Sequence, residues 1–264
     1  MALPTTPMLS RDWLAYYRRL CRSRFTIVDV ETTGLRPSLS RVIEIAVLHA
    51  TLADGIVLER SDLVNPGVRI PATITQITGI TQRMVDAAPL STEVWREYAP
   101  LLSEGVLTAH NLAFDYGFLQ AEFNFVAVPY VRDEAEQLCT VQLARLLLSD
   151  LPSRRLPDLV QHFGFDVGRS HRAAADTHAC WLLLHHLLSQ IDACSDDEVL
   201  TQLGEQWLSL KAAAELLQIS NRQLRIWLRE AKIEVQCRGK HNRPMVQRAA
   251  IEDLYCDRVA PCLD

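Results

Sequence analysis

The sequence predicts an α/β protein: a mixed sheet with helices packed on it, followed by a small helical module toward the C-terminal end. Three observations carry this expectation. Short β-branched apolar runs crowd the first part of the chain. Helix-period and strand-like segments then alternate. After Gln206 the pattern changes to two short helical stretches rich in basic residues.

Residues 12–22 read as a short, partly basic helix leading into the first strand. Phe25-Thr-Ile-Val-Asp-Val30 is a β-branched run and so strand-like. Residues 41–50 give a second strand and 56–65 a third, closed by the turn signal Asn65-Pro66-Gly67. Ala53-Asp54-Gly55 falls between these two, as a hairpin requires. Periodicity then changes: 92–102 is helical, 105–110 is a strand running into a loop, and 114–123 and 140–148 are helical again. The last helix of this part covers about 173–191. Residues 192–206 are polar and acidic and are expected to be a linker. The chain is therefore divided into an N-terminal helix (1–23), a main domain (24–191), the linker (192–206) and a C-terminal module (207–264).

At 264 residues, with 48% hydrophobic and 22% charged, the chain can bury a core without disulfide staples. Its seven cysteines (Cys21, Cys139, Cys180, Cys194, Cys237, Cys256 and Cys262) form no Cys-x-x-Cys pair, which argues against a disulfide framework or a structural zinc. A reducing cytoplasm is the expected compartment. No secretory or transit segment and no bilayer-length apolar stretch is read, so no membrane partner is expected. The net charge of −5 argues against indiscriminate coating of nucleic acid but leaves room for a local basic surface.

Asp29 and Glu31 stand one residue apart on the first strand, so alternation puts both on one face. Carboxylates on an apolar strand are costly to bury unless paired or metal-bound. Two side by side repel, and a divalent cation between them resolves the conflict. Alone they are matched by a blander reading, solvated charges at a strand end. Their company changes the balance: His110-Asn-Leu-Ala-Phe-Asp115 puts a carboxylate after another strand at the start of a helix, and His171-Arg-Ala-Ala-Ala-Asp176 puts one at the last helix of the domain.

These motifs resemble the DEDDh, or DnaQ-like, 3′→5′ exonucleases, which include the proofreading subunits of bacterial replicative polymerases. The residues carrying the resemblance are Asp29-Val-Glu31-Thr-Thr-Gly34, Asn111-Leu-Ala-Phe-Asp115, and His171 with Asp176, all in the family's order. Smaller similarities lie at Val42-Ile-Glu-Ile45, Ile77-Thr-Gly-Ile-Thr81 and Thr140-Val-Gln-Leu-Ala-Arg145, and the likeness covers roughly residues 24–189. A tyrosine-type relative carries Tyr four residues before the last Asp. Arg172 stands there, and His171 precedes it, which indicates the histidine type.

The resemblance implies a ribonuclease H-like, five-stranded mixed sheet and a metal-dependent phosphodiester hydrolase. Asp29, Glu31, Asp115 and Asp176 would hold two Mg²⁺ (or Mn²⁺) ions, about 3.5–4 Å apart in such sites. Oxygen ligands suit these ions better than zinc. His171 would be the general base, its ordinary pKa near 6.5 suiting it to neutral pH. His178 lies two residues past Asp176, roughly 200° around the helix, and so faces away. His110 stands near Asp115 without a role in the family pattern, and His162, His185 and His186 read as ordinary residues. Thr32, Thr33, Gly34, Leu35, Asn111 and Phe114 are expected to meet the terminal nucleotide, although Leu35 equally suits packing. Glu44 reads either as a support behind the metal ligands or as a solvated strand residue. Asp158 and Asp166 fall in a loop-rich stretch and read as solvated.

Residues 207–220 and 221–230 look like a helix-turn-helix, with Ala212, Ala213 and Leu216 packing the first helix and Leu224, Trp227 and Leu228 the second. Ser220 suits the N-cap of the second. The pair resembles the small winged modules of excisionase and MerR-type DNA binders, with residues 233–246 as the wing. Arg222, Arg225, Arg229, Arg238, Lys240 and Arg243 form the expected phosphate-contacting tail. Lys232 and Arg248 add to the local positive charge. A module for protein contacts is the competing reading. Proofreading subunits do not ordinarily carry such a tail, so the chain departs from them here.

The expected activity is hydrolysis of DNA from a free 3′ end, releasing nucleoside 5′-monophosphates, with a replication or repair protein as partner. An RNA-end or oligoribonucleotide trimming enzyme uses the same residues. A DNA-binding regulator on a retired exonuclease scaffold would have no use for five repelling or titrating groups.

Overall fold

The computed structural model describes residues 8–168, 170–238 and 242–259. Its main unit takes in residues 20–144 and 151–189. Strands β1 (Arg24–Thr32), β2 (Val42–Thr51) and β3 (Gly55–Leu63) form an antiparallel meander, and β4 (Val106–Ala109) and β5 (Gln137–Cys139) add to β1 in parallel. The five-stranded order is β3-β2-β1-β4-β5. This is the mixed sheet expected, with β5 found in a stretch whose three residues carry too little pattern to read.

The meander follows from local chemistry. Gly55 turns the β2–β3 hairpin at φ +71°, a conformation that suits glycine. Gly105 brings β4 beside β1 at φ +50°, where a Cβ would lie 2.5 Å from the carbonyl of Arg24. In β2 every residue from Val42 to Ala50 is buried, so both faces of this strand are covered.

Alternation then divides the sheet. Val28 and Val30 of β1, with Ile45 and Val47 of β2, face a core shared with Trp95, Tyr98 and Leu102 of α4 (Ser91–Leu102) and Phe118, Leu119 and Phe123 of α5 (Leu112–Phe125). The opposite parity of β1 carries Phe25, Ile27, Asp29 and Glu31, and Phe25 meets Trp181 of the long helix that ends this unit. Glu122, 2% exposed, ties the first core together. It accepts a two-pronged bond from Arg41 (2.8 and 2.9 Å), the Val42 amide (2.9 Å) and the Trp95 indole (3.0 Å).

Helices α2 (Ala72–Thr78) and α3 (Gln82–Asp86) lie between β3 and α4, and α6 (Thr140–Leu147) follows β5. Asp158 belongs to α7 (Leu156–Phe163) and so does not lie in a loop. Pro157 inside its first turn and Gly164 at its C-cap are the start and stop signals that this short segment did carry. The long helix is α8 (Ala173–Ala193), close to the expected span.

The second unit gathers the described parts of residues 1–19, 145–150 and 190–264. Helix α1 (Ser10–Leu20), expected as a separate segment, is bonded here: Ser10 donates to Glu252 and the Arg18 guanidinium to the carbonyls of Ile191 and Cys194. The stretch expected as a linker contains α9 (Asp196–Gly204). Its acids are a helix start: the Ser195 hydroxyl accepts from the Glu198 amide while the Glu198 carboxylate accepts from the Ser195 amide, a capping box. Strands β6 (Trp207–Ser209), β7 (Gln236–Arg238) and β8 (Arg243–Gln247) make a small sheet ordered β6-β8-β7. With α10 (Leu210–Leu216), α11 (Asn221–Glu230) and α12 (Arg248–Arg258) they enclose Ala213, Leu216, Leu224, Leu228, Val246, Ile251 and Leu254. Ser220 accepts from the Gln223 amide at the start of α11. Among the described residues, no helix is long and apolar enough to cross a membrane.

Candidate active site

Three chain segments far apart in sequence bring their acids to the C-terminal end of β1. Asp29 and Glu31 reach it by strand alternation, both half-buried. Asp115 stands in the first turn of α5, just past the end of β4, and the αL conformation of Asn111 (φ +80°) starts that helix. The Asp115 carboxylate accepts from the Val30 amide at 3.2 Å, so it leans on the strand between the two β1 acids. Asp176 stands in the first turn of α8 and accepts from the His171 amide at 2.9 Å. Ligand atoms of Glu31, His171 and Asp176 all lie within 4.8 Å of one another.

The electrostatics match a cluster of like charges. Burial, with Asp115, Asp176, Glu31 and Glu44 nearby, pushes Asp29 well above the usual carboxylate range. Burial and the charges of Asp176 and Glu44 raise Glu31 to about 8, with Arg172 pulling the other way. Burial lifts Asp115 to about 8 against the bonds from the Val30 amide and its own. Asp176 is raised as well, chiefly by burial, with His171 opposing. Four oxygen-bearing acids that resist simultaneous ionisation fit a divalent cation set, since hard cations take oxygen ligands and neutralise the repulsion.

Glu44 shows what the sequence left open. It is 2% exposed, so it is not a solvated residue. The β1–β2 register sets it directly across from Glu31, hence on the same face. Its carboxylate accepts Arg172 Nη2 at 2.7 Å, Arg172 Nε at 3.1 and 3.2 Å, and the Ala173 amide at 2.9 Å. An acid inside the otherwise apolar run Val-Ile-Glu-Ile-Ala-Val was the signal, but its partner lies 128 residues away.

The other residues expected at the site divide by what they already do. The Thr32 hydroxyl is buried and donates to the Gly34 carbonyl at 2.6 Å, and Thr33 Oγ1 accepts from the Arg41 amide at 2.9 Å. Both hold the β1–β2 loop in shape. At Gly34 a Cβ would meet Ser40 Oγ at 2.7 Å. Leu35 is 83% exposed and Leu39 76%, so packing explains neither. Asn111 is exposed, and Phe114 is half-buried against Phe118. His110 bonds Thr140 Oγ1 and the Arg154 carbonyl, both at 2.9 Å, so its ring is committed to the frame.

In the C-terminal unit Arg222, Arg225 and Arg229 are exposed along α11, and Leu224 and Leu228 face inward. Arg243 is exposed, and Arg238 stacks over Trp207 at 4.4 Å. Lys240 lies outside the described residues. Arg248, counted with the basic tail, is instead buried and paired with Glu252 at 3.0 Å.

Comparison with known proteins bears on the family and on the fold of the main unit. The model of the RNase T exonuclease family matches residues 26–184. The PolC-type DNA polymerase III of Oceanobacillus iheyensis is 33% identical over 175 residues, 66% of this chain and 12% of that protein. The 3′-5′ exonuclease DinG of Bacillus subtilis is 31% identical over 172 residues, 64% of this chain and 18% of that protein. The chain thus spans about an eighth of the length of the PolC-type relatives it matches. Among solved structures, exonuclease X in complex with 5′-overhanging duplex DNA is 25% identical, with a TM-score of 0.50, covering 68% of this chain and 99% of that one. Escherichia coli exonuclease I with a dT13 oligonucleotide shares the fold at 20% identity and a TM-score of 0.57, covering 63% of this chain and 41% of that one.

Proposed function

The chain belongs to the RNase T exonuclease family, and from that premise we propose that it removes nucleotides from the 3′ end of DNA by metal-dependent hydrolysis. The observation that carries the proposal is the convergence of Glu31, His171 and Asp176 within 4.8 Å, with Asp29 and Asp115 in the same field of raised carboxylates.

Asp29, Glu31, Asp115 and Asp176 would hold two Mg²⁺ or Mn²⁺ ions. Cations bound there supply positive charge against the negative charge that develops on the scissile phosphate. His171 accepts the proton of the attacking water at its imidazole nitrogen. The water oxygen bonds to phosphorus, the bond to the 3′ oxygen of the preceding nucleotide breaks, that oxygen keeps the electron pair and takes a proton from solvent, and a nucleoside 5′-monophosphate leaves. Exposed Leu35, with Asn111 and Phe114, offers the terminal base and sugar a surface. Thr32, Thr33 and Gly34 keep the loop that presents Leu35 in place.

DNA as substrate is supported by the PolC-type and DinG relatives and by exonuclease X, whose structure holds duplex DNA. In this reading, the described part of residues 207–264 acts as a winged helix-turn-helix that grips duplex phosphates through Arg222, Arg225, Arg229, Arg238 and Arg243, and a replication or repair assembly is the setting. The test is incubation of the protein with 5′-labelled single-stranded DNA, duplex DNA and RNA in Mg²⁺, Mn²⁺ or EDTA. Laddering of DNA from the 3′ end that EDTA stops is the expected result. Degradation of RNA alone overturns the substrate, and no degradation of any strand overturns the activity.

A further inference from the structure

We propose that Glu44 and Arg172 are a positioning pair that sets the backbone of His171, and through it the placement of the imidazole at the site. This rests on the reading of His171 as the proton acceptor.

His171 is exposed, so packing does little to hold its ring. Its backbone is held instead. On one side its own amide donates to Asp176 at 2.9 Å, and on the other Arg172 and Ala173 both donate to one buried carboxylate, Glu44. Between these anchors His171 adopts φ +63°, a left-handed conformation that a non-glycine residue rarely takes and that persists only where its surroundings impose it.

The identity of the pair follows from the same geometry. Glu44 lies opposite Glu31, where a bare carboxylate would add repulsion to an acidic cluster. A planar guanidinium can grip both of its oxygens from one side, which a lysine cannot do. Bonded also to Ala173, the first residue of α8, Glu44 stands at the helix N-terminus where a negative charge is favoured. One buried carboxylate on β2 therefore fixes where α8 begins and how His171, two residues before it, turns.

The test is a double-mutant cycle of Glu44→Gln with His171→Ala. Single-turnover rates on a short 5′-labelled oligonucleotide are measured with saturating Mn²⁺, with Mn²⁺ affinity followed by calorimetry. In the native background Glu44→Gln is expected to lower the rate by about 10–100-fold, the cost of a reacting group misplaced by about 1 Å, with KM and Mn²⁺ affinity within about threefold. In the His171→Ala background the same change is expected to alter the residual rate by less than about threefold, because its route of action is gone. An equal loss in both backgrounds overturns the positioning role while leaving His171 as the acceptor. Full activity in His171→Ala overturns the acceptor reading and this proposal with it. If circular dichroism shows Glu44→Gln unfolded, Arg172→Gln, at a residue whose side chain is 42% exposed, takes its place in the cycle. Unfolding of both variants also overturns the proposal, since the pair then serves the fold.

Discussion

Replacing Asp115 by Asn is expected to stabilise the metal-free protein while removing its activity. Asp115 is 3% exposed, and its pKa is raised from 3.8 to about 8, above all by burial. Between those two values the folded protein holds the proton and the unfolded chain has lost it. Stability therefore falls as pH rises from about 4 to about 8, and the deficit is absent below that window. At about 1.4 kcal/mol per pH unit, carrying this acid at pH 7 costs the fold up to about 4 kcal/mol. Asparagine has no proton to lose and keeps a carbonyl oxygen for the Val30 amide, which bonds Asp115 at 3.2 Å. A gain of about 2–4 kcal/mol raises Tm by roughly 5–10 °C in a protein of this size. The assay is thermal melting by circular dichroism in EDTA at about pH 7.5 and about pH 4.5, with the gain confined to the higher pH. Nuclease activity in Mg²⁺ should fall by about a thousandfold. An unchanged or lower Tm at the higher pH would refute the claim that these acids are crowded.

Divalent cations should raise the Tm of the native protein by an increment that grows between about pH 5.5 and about pH 8, as the acids give up their protons, and much less in Asp115→Asn. No shift with Mg²⁺ or Mn²⁺ at any pH in that range would remove the cluster as a cation site. Glu122→Ala leaves the Val42 amide, the Trp95 indole and Arg41 without their shared acceptor, so urea unfolding should show a loss of about 3–5 kcal/mol. A loss below about 1 kcal/mol would mean that the network holds little together. Replacing Arg222, Arg225 and Arg229 together by Ala should weaken duplex DNA binding and lower the slope of log K against log salt by about 2–3, without changing hydrolysis of a short oligonucleotide. An unchanged slope would take α11 out of phosphate contact.

Much of the fold was legible because its signals are local. The β-branched runs of β1 to β3, the turn at Gly55 and the helical periods of α4, α5 and α8 each lie within a few residues. Where the signal was weak or shared, reading failed: β5 has three residues, and α7 eight. The acids of residues 196–198 suit both a solvated linker and a helix N-terminus, and Ser195 with Glu198 decided for the helix. Arg248 counted as surface charge until its pairing with Glu252 showed it buried.

By itself the sequence determined the ordered motifs around Asp29 and Glu31, Asp115, and His171 with Asp176, because a carboxylate on an apolar strand or at a helix start announces itself wherever it stands. Tertiary structure alone decided which of these groups meet. It brought Glu31, His171 and Asp176 together, pushed the pKa values of Asp29, Glu31 and Asp115 upward, and paired Glu44 with Arg172. The physical reason is that burial and repulsion depend on strand register and on which helix start arrives beside it. Periodicity along a chain encodes the face a residue takes and never its neighbour across the fold.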